Sequence, residues 1–391
     1  MPLVLAEVLL DRSDLGGPVR IGWGNVISDR PDLVAVAGSK AFLFYPTATG
    51  YSLAAEIDLG TEILSLEVGL REGNRDKILL GTVDRVVVYT ASAGSLVQLW
   101  ETVPETGARF VDLALARLNG DGVESLIAAA ELRESLYFYQ PAGQNGAGQG
   151  LQLLAIRVVP GPPQYLAILN RSEGQTPLIA VAYLIGGASG LILLNYTEVG
   201  IAEGPALENL PALVEALAAG DLRPAPGDEL SWGGSDGRVR VIEVAGLTEP
   251  LTTVLTSDNL GTSVPALTVG RLIGDNVQTL LAGTPGGYIF GFRAPVEQTS
   301  PDWVLYTGSQ VIFDLAVSSE GLLGLGTAGG GLQVWRIAAA GAMVHVVRPG
   351  ETLASIAALY RTTAEELARI NNLTNPNLIF PGQSLLIPQN P

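Results

Sequence analysis

Few side chains in this sequence can do covalent chemistry. There is one histidine, His345, and no cysteine. Histidine-based serine triads and multi-histidine metal centres are thereby nearly excluded, and thiol nucleophiles and disulfides are removed outright. His345 lies in the run Val344–Val347, where strand alternation places it outward, as a surface residue rather than a base. Ser189, within Gly186-Gly187-Ala188-Ser189-Gly190, lacks the spacing of a nucleophile elbow and reads as part of a hairpin turn. Carboxylates remain. Asp112, Asp221 and Asp314 stand near corresponding places of three internal repeats, entering or following a strand. A converging pair of such groups could cleave a glycosidic bond, but turn or repeat-packing chemistry is the favoured reading, and no catalytic residue is assigned.

The stronger chemical signal is recognition without reaction. It lies in the segment from Val344 to Pro388, VHVVRPGETLASIAALYRTTAEELARINNLTNPNLIFPGQSLLIP. Val344, Val346 and Val347 form a short β-type run that Pro349-Gly350 breaks. Leu353, Ile356, Ala357 and Tyr360 then recur on one helical face. Thr362 with Glu365 three residues on fits a capping box for a second helix, whose inner face carries Leu367 and Ile370. Asn371-Asn372 can stop that helix, because Asn tolerates the left-handed conformation. Leu378, Ile379 and Phe380 lead into the Pro381-Gly382 turn, and Leu385–Ile387 form a closing strand. Two strands and two helices in so short a segment leave a very small core, so loops do much of the shaping.

The R-P-G-E-T-L loop, the I-A pair, I-N-N-L and L-I-F-P-G-Q-S-L-L-I-P resemble a LysM module, over about an eighth of the chain. The resemblance implies a βααβ fold and a shallow groove for chains of N-acetylglucosamine, as in peptidoglycan and chitin. It places Gly350, Glu351, Thr352 and Leu353 on one side of the groove and Asn377, Leu378, Ile379, Phe380 and Pro381 on the other. Backbone amides in such loops can bond the N-acetyl group and hydroxyls, and Leu353, Leu378 or Ile379 could take the acetyl methyl. Glu351 departs mildly from the family, in which Asp is common there. The bland alternative makes Thr352 an N-cap and Leu353 and Ile379 core. A single module of this kind is expected to bind weakly, since a shallow groove recovers little beyond the cost of association.

The rest of the chain is repetitive. Seven segments share one form, of which Val19–Tyr45, Ile63–Tyr89 and Phe110–Tyr139 are the first three. Each holds a strand, a polar turn, an apolar strand ending in small residues, another turn and a third strand. Small-residue marks at Gly38, Gly81, Ala129, Ala182, Gly233, Gly283 and Gly326 recur every 43 to 53 residues. Between segments lies an alternating fourth strand, as in YSLAAEIDL, SLVQLWETV, LQLLAIRVV, EPLTTVLTS and WVLYTGS. Four strands per repeat predict a β-propeller. The seventh repeat has no fourth strand of its own, whereas Leu3–Leu10 has no repeat of its own. The N-terminal strand is therefore expected to close the ring. The predicted organisation is mainly all-β: a seven-bladed propeller over 1–337, a short linker over 338–343 and the βααβ module over 344–391. Some relative motion is expected unless the two parts pack together.

The turns Ala116-Arg117-Leu118-Asn119-Gly120-Asp121-Gly122, Ala219-Gly220-Asp221-Leu222 and Val269-Gly270-Arg271-Leu272 resemble the G-D-x-N-G-D-G turn of integrin-alpha-like (FG-GAP or VCBS) propellers. That family's turn holds Ca²⁺ through alternate oxygens. Asn119 and Asp121 are the weak calcium candidates here, opposed by Arg117 at the first-ligand position. Turns whose Asp and Asn satisfy their own backbone are the favoured reading, with no cofactor.

Net charge is −17, with Arg348, Arg361 and Arg369 balancing Glu351, Glu365 and Glu366 in the C-terminal segment, so the surplus belongs to the repeats. Such a surface disfavours nucleic acid and anionic lipid. No apolar run is long enough to span a bilayer. The start, MPLVLAEVLLDRSD, lacks a basic region and carries Glu7, a poor secretory signal. That implies cytoplasmic synthesis without a standard leader, which conflicts with the bacterial cell-envelope or spore-surface location that the resemblance implies. The sequence could lack its leader, the protein could be exported without one, or it could be made inside a cell that deposits it on a spore, as resembling proteins of spore-forming bacteria do. The function expected is a non-enzymatic adaptor: the module binds peptidoglycan or a chitin-type glycan, and the propeller presents a face to a protein partner or other ligand. The alternatives are a propeller glycoside hydrolase targeted by its LysM and a protein-interaction scaffold whose module no longer binds sugar.

Overall fold

Each repeat folds into a four-stranded antiparallel sheet, and seven such sheets are present. The computed structural model describes residues 5–92, 94–118, 122–142, 150–171, 175–197, 199–224, 226–308, 310–338, 343–347, 350–360, 362–371, 373, 375, 379–380 and 384–387. The innermost strands are Val19–Gly24, Ile63–Glu72, Phe110–Ala116, Pro163–Leu169, Val214–Gly220, Ala266–Gly270 and Ile312–Val317. Each touches the innermost strand of the blade before and the blade after, and the last meets the first. The ring is thus a closed seven-bladed β-propeller.

Burial explains the apolar pattern of the repeats. The second strands Asp32–Ala37, Ser125–Ala130, Glu229–Gly234, Thr279–Gly283 and Leu322–Thr327 are buried along their whole length, because a neighbouring blade covers each face. Outer strands such as Tyr51–Asp58 alternate between buried and exposed positions. The recurring small residues mark where the next blade lies on the second strand. A methyl on Gly81 would sit 2.6 Å from the Phe110 carbonyl oxygen, and one on Gly283 would sit 2.5 Å from the Ile312 side chain. Methyls on Gly233 and Gly326 would overlap the carbonyls of Val264 and Val19. Ala129 and Ala182 are likewise fully packed. Gly38 is different: it lies in the turn beyond its strand with φ +60° and nothing near its missing side chain.

Polar side chains then bracket neighbouring blades. Asp76, Glu124, Asp228 and Gln278 accept the backbone N–H groups of Asn25 (2.7 Å), Leu70 (3.0 Å), Asn170 (2.7 Å) and Asp221 (2.9 Å), each in the preceding blade. At other seams Asp112 and Asp314 accept from Leu166 and Ile21 in the following blade. A buried N–H left without such a partner would cost about 1–3 kcal/mol, so these side chains help set how the blades abut.

The N-terminal strand Leu5–Arg12 pairs antiparallel with Leu332–Ala338 and completes the seventh blade, as expected, from Leu5 opposite Ala338 to Arg12 opposite Leu332. The outer strand of the fourth blade, Gly200–Leu207, has no counterpart among the strands read from the sequence. It contains Gly200, Gly204 and Pro205, which mask the strand signal but are tolerated at a sheet edge.

In the C-terminal module, Met343–Val346 pairs with Ser384–Ile387, and helices α1 (Leu353–Leu359) and α2 (Ala364–Ile370) lie between them in sequence. Val347, Leu353, Ile356, Ala357, Leu367, Ala368, Leu385 and Ile387 form its core. Thr363, not Thr362, caps α2, accepting from the Glu366 N–H at 3.1 Å. Asn371 ends that helix at φ −98°, so no left-handed residue is used there, and Asn372 lies outside the described residues. The module does not stand apart from the ring. Its core and the apolar residues of the first and seventh blades form one continuous cluster, with Leu9, Leu373 and Ile379 packed against it. Among the described residues no helix is long and apolar enough to cross a membrane.

Candidate functional site

The first loop of the module is built around a buried imidazole. Counting alternation from Val344 had put His345 outside, but its ring points inward and is 6 % exposed, opposite the buried Leu385. The reason is partnership: Nε2 lies 2.7 Å from Glu351 Oε2, and Nδ1 lies 3.0 Å from the Tyr360 hydroxyl. With Nε2–H donating to the carboxylate, the tyrosine satisfies the other ring nitrogen. The His345 and Tyr360 rings also meet edge to face at 5.5 Å. One imidazole thus ties the first strand, the loop at Glu351 and the end of α1 together.

The neighbouring residues of this loop are fixed too. Gly350 is exposed with φ +86°, a conformation that a side chain would strain. Thr352 is the N-cap of α1. Its hydroxyl accepts from the Ser355 N–H at 3.1 Å, while Ser355 Oγ accepts from the Thr352 N–H at 3.0 Å, a reciprocal capping box. Ile356 N–H also bonds the Thr352 carbonyl. Leu353 is only 2 % exposed, so its side chain belongs to the core and a ligand could meet only its backbone. On the opposite side, Ile379 is half-buried and Phe380 is 60 % exposed. Asn377, Leu378 and Pro381 lie outside the described residues. The first loop is therefore a clamped turn with an exposed rim at Gly350 and Thr352, and Phe380 is an exposed aromatic at the second loop.

The propeller candidates separate. Asp112 accepts from the N–H groups of Leu113 (3.0 Å) and Leu166 (2.7 Å), and Asp314 from those of Leu315 (2.9 Å) and Ile21 (2.9 Å). Both are blade brackets at the innermost strands. Asp221 follows its strand, is exposed, and its N–H donates to Gln278. The three do not form one constellation. Ser189 is buried in the hairpin after Gly186 and Gly187, and its hydroxyl accepts from the Val214 N–H at 2.9 Å. Asn119 and Asp121 lie outside the described residues, and among those that are described no group of three His, Asp or Glu is arranged to hold a metal ion.

A feature the sequence did not single out is Glu67, on the innermost strand of the second blade. Burial pushes its carboxyl up to about 8, partly offset by the Val68 N–H and reinforced by Asp112, Glu124 and Asp314. Burial likewise raises Asp112 to about 7 and Asp314 to about 6, against the pull of their backbone bonds and of Arg20. A charge inside the alternating run ILSLEVGL was the available sign.

Comparison with known proteins agrees with this division. Residues 345–388 match the LysM domain family. The same region is 40 % identical over 45 residues to the cortical fragment-lytic enzyme of Bacillus subtilis (strain 168), a match that covers 12 % of this chain and a tenth of that protein. The propeller is similar to that in the crystal structure of Saccharomyces cerevisiae Sqt1, with a TM-score of 0.58 at 13 % identity over 84 % of this chain and 99 % of that one. It is similar also to BBS1N in complex with ARL6DN, with a TM-score of 0.64 at 14 % identity over 86 % and 98 %. A third likeness is to the WD40 β-propeller domain of Doa1, with a TM-score of 0.60 at 11 % identity over 85 % and 97 %. Identities this low show the fold alone.

Proposed function

We propose that this chain is a non-enzymatic adaptor that binds a polymer containing N-acetylglucosamine through its C-terminal module, with Gly350, Glu351, Thr352 and the Leu353 backbone facing Asn377, Leu378, Ile379, Phe380 and Pro381 across the groove. The observation that carries it is the LysM match at residues 345–388 on a βααβ module whose first loop is held by His345 and a capping box. Rigid loop backbone is what a shallow sugar groove needs, because little binding energy is then lost to ordering. Peptidoglycan is favoured over chitin by the likeness to a bacterial enzyme named for cortical fragments. The same likeness supports a place at a cell wall or spore layer.

The propeller, over 1–337 with a joint at 338–343, serves as a rigid disc that presents loops to a protein partner. The turns at 116–122, 219–222 and 269–272 support a kinship of the propeller with the integrin-alpha-like type. A LysM-targeted glycoside hydrolase is the second reading. Against it, Asp112 and Asp314 are half-buried and engaged with the next blade's backbone. A scaffold whose module has lost sugar binding is the third. Sedimentation with insoluble peptidoglycan and chitin separates these. Full-length protein is expected to sediment and a 1–337 truncation to stay in solution. If neither sediments, the glycan reading fails, and release of reducing ends from either polymer would revive the hydrolase.

A further inference from the structure

Four large apolar side chains stand out from one face of the third and fourth blades. Val103, Leu132, Val158 and Ile185 are between 41 and 77 % exposed. Val103 lies in the loop that enters the third blade, and Leu132 in a single helical turn at Glu131–Arg133. Val158 and Ile185 end the strands Leu151–Val158 and Leu178–Ile185. Hydrogen bonds draw these segments together. The N–H of Leu132 bonds the Ala108 carbonyl at 3.1 Å, that of Val159 the Glu134 carbonyl at 2.8 Å, and that of Leu184 the Pro162 carbonyl at 3.0 Å. Arg109 and Glu134 sit at φ +53° and +48°, a conformation that residues other than glycine rarely adopt. The backbone under the patch is thus held in place, and little binding energy goes into ordering it.

The charges left free around the patch are negative. Arg109 pairs with Glu131 at 3.0 Å, and Arg133 donates to the Thr106 carbonyl at 2.7 Å. The carboxylates of Glu105 and Glu134 have no hydrogen-bond or ion-pair partner among the described residues. An apolar patch rimmed by free carboxylates is complementary to apolar side chains flanked by lysine or arginine. A second copy of this chain, at net charge −17, would set carboxylates against carboxylates instead. The patch also lies away from the C-terminal module. It is on the face where the inner strands begin. The module follows Ala338, at the end of the seventh blade's third strand, and lies beside Arg30 and Thr47–Gly50, on the face where the inner strands end.

We infer that this face of the third and fourth blades docks a protein partner through a segment that sets apolar side chains among basic ones. The inference rests on the reading of the propeller as a disc that presents loops to a partner, and adds the face and the chemistry. Leu132 and Val158 take the apolar side chains, and Glu105 and Glu134 take the basic ones. With the module on the opposite face, the glycan and the partner are bound at the same time.

The probe is a fluorescent amphipathic peptide of leucine and lysine, with a leucine–glutamate peptide of the same pattern as its counterpart. Each is titrated by anisotropy with the full chain. Leu132→Ser with Val158→Ser removes apolar surface, and Glu105→Gln with Glu134→Gln removes charge. Val199→Ser changes a 98 % exposed side chain on the opposite face. None of these side chains is buried, so the ring should keep its fold. Wild type is expected to bind the lysine peptide saturably and the glutamate peptide not at all. The serine pair should weaken binding about tenfold, the glutamine pair about fivefold, and Val199→Ser not at all. The inference is overturned if wild type does not bind the lysine peptide, if either pair binds it like wild type, or if the glutamate peptide binds as tightly. It is overturned too if sedimentation equilibrium finds a wild-type dimer that the serine pair dissociates, because a second copy then covers the patch. Co-sedimentation separates the inference from the tether. Wild type bound to peptidoglycan should carry down more lysine peptide than peptidoglycan alone. Protein that sediments without extra peptide leaves the tether standing and overturns the inference. Protein that binds the peptide but does not sediment supports the inference and refutes the tether.

Discussion

Replacing His345 with alanine tests whether the module's first loop is held from within. The substitution removes the Nε2 contact to Glu351 at 2.7 Å, the Nδ1 contact to Tyr360 at 3.0 Å and a ring that is 6 % exposed. A hydrogen bond to a charged group contributes about 1.5–3 kcal/mol and a neutral one about 1 kcal/mol. Glu351 retains some solvent access, with 24 % of its side chain exposed, so the lower end applies to it. Adding the packing lost around a truncated buried ring, the expected destabilisation is about 3 kcal/mol. Freeing the Glu351 loop should also cost about 1 kcal/mol on ligand binding, since each ordered side chain costs about 0.5–1.5 kcal/mol.

Calorimetric melting and titration with an N-acetylglucosamine oligomer, both on the full chain, check the two parts. His345→Ala should melt earlier and, at a temperature where it is still folded, bind about fivefold to tenfold more weakly. Glu351→Gln keeps an acceptor for Nε2–H and should show a smaller loss of both. If His345→Ala melts and binds like wild type, the imidazole holds nothing. If it melts earlier but binds unchanged, His345 is a core residue only and does not position the loop.

Further outcomes follow from the ring. Glu67, Asp112 and Asp314 have folded-state values raised to about 8, 7 and 6 by burial. A raised acid binds more protons folded than unfolded, so the stability it contributes is complete below its ordinary value near 4 and is lost as pH rises through 6 to 8. The urea midpoint of the propeller should therefore be higher at about pH 5 than at about pH 8.5, and Asp112→Asn should flatten the slope; a midpoint that rises over this range contradicts the assignment. At the seam between the last and first blades, Gly326→Ala should cost about 2 kcal/mol, because its methyl would overlap the Val19 carbonyl. Gly329→Ala, where nothing lies within 4 Å, should be close to neutral. Equal midpoints for the two alanine variants would show that the blades are not packed as described.

Much of the propeller was legible because its physics repeats. Buried second strands such as Leu178–Ile185 and Leu322–Thr327 read as apolar runs, and Gly81, Gly233 and Gly326 recur because another blade's backbone lies against them. Ring closure could be read from the mismatch between a strand lacking a repeat and a repeat lacking a strand. What stayed hidden depended on tertiary partners. Gly200–Leu207 carries no strand propensity and exists because the third strand of its blade offers it a ladder. His345 was misplaced because alternation counts faces but does not know that Glu351 and Tyr360 wait on the inner one. The cap fell on Thr363 instead of Thr362 because two adjacent threonines offer the same chemistry, and α2 begins one residue later than the sequence suggested. The acidic turns resembled ion loops in sequence but read more readily as turns held by their own hydrogen bonds. In the fold, Asp221 meets Gln278 of the next blade through its backbone, and Glu229 accepts from the N–H groups of Leu222 and Arg223.

The claim at the centre is that the module recognises the N-acetyl group of a sugar chain. The most direct measurement is calorimetric titration of the full-length protein with the N-acetylglucosamine hexamer and, in parallel, with the glucose hexamer of the same β-linkage. Saturable binding of the first, with no measurable binding of the second and no shortening of either chain, is the predicted result. Equal binding of both, or of neither, would contradict it.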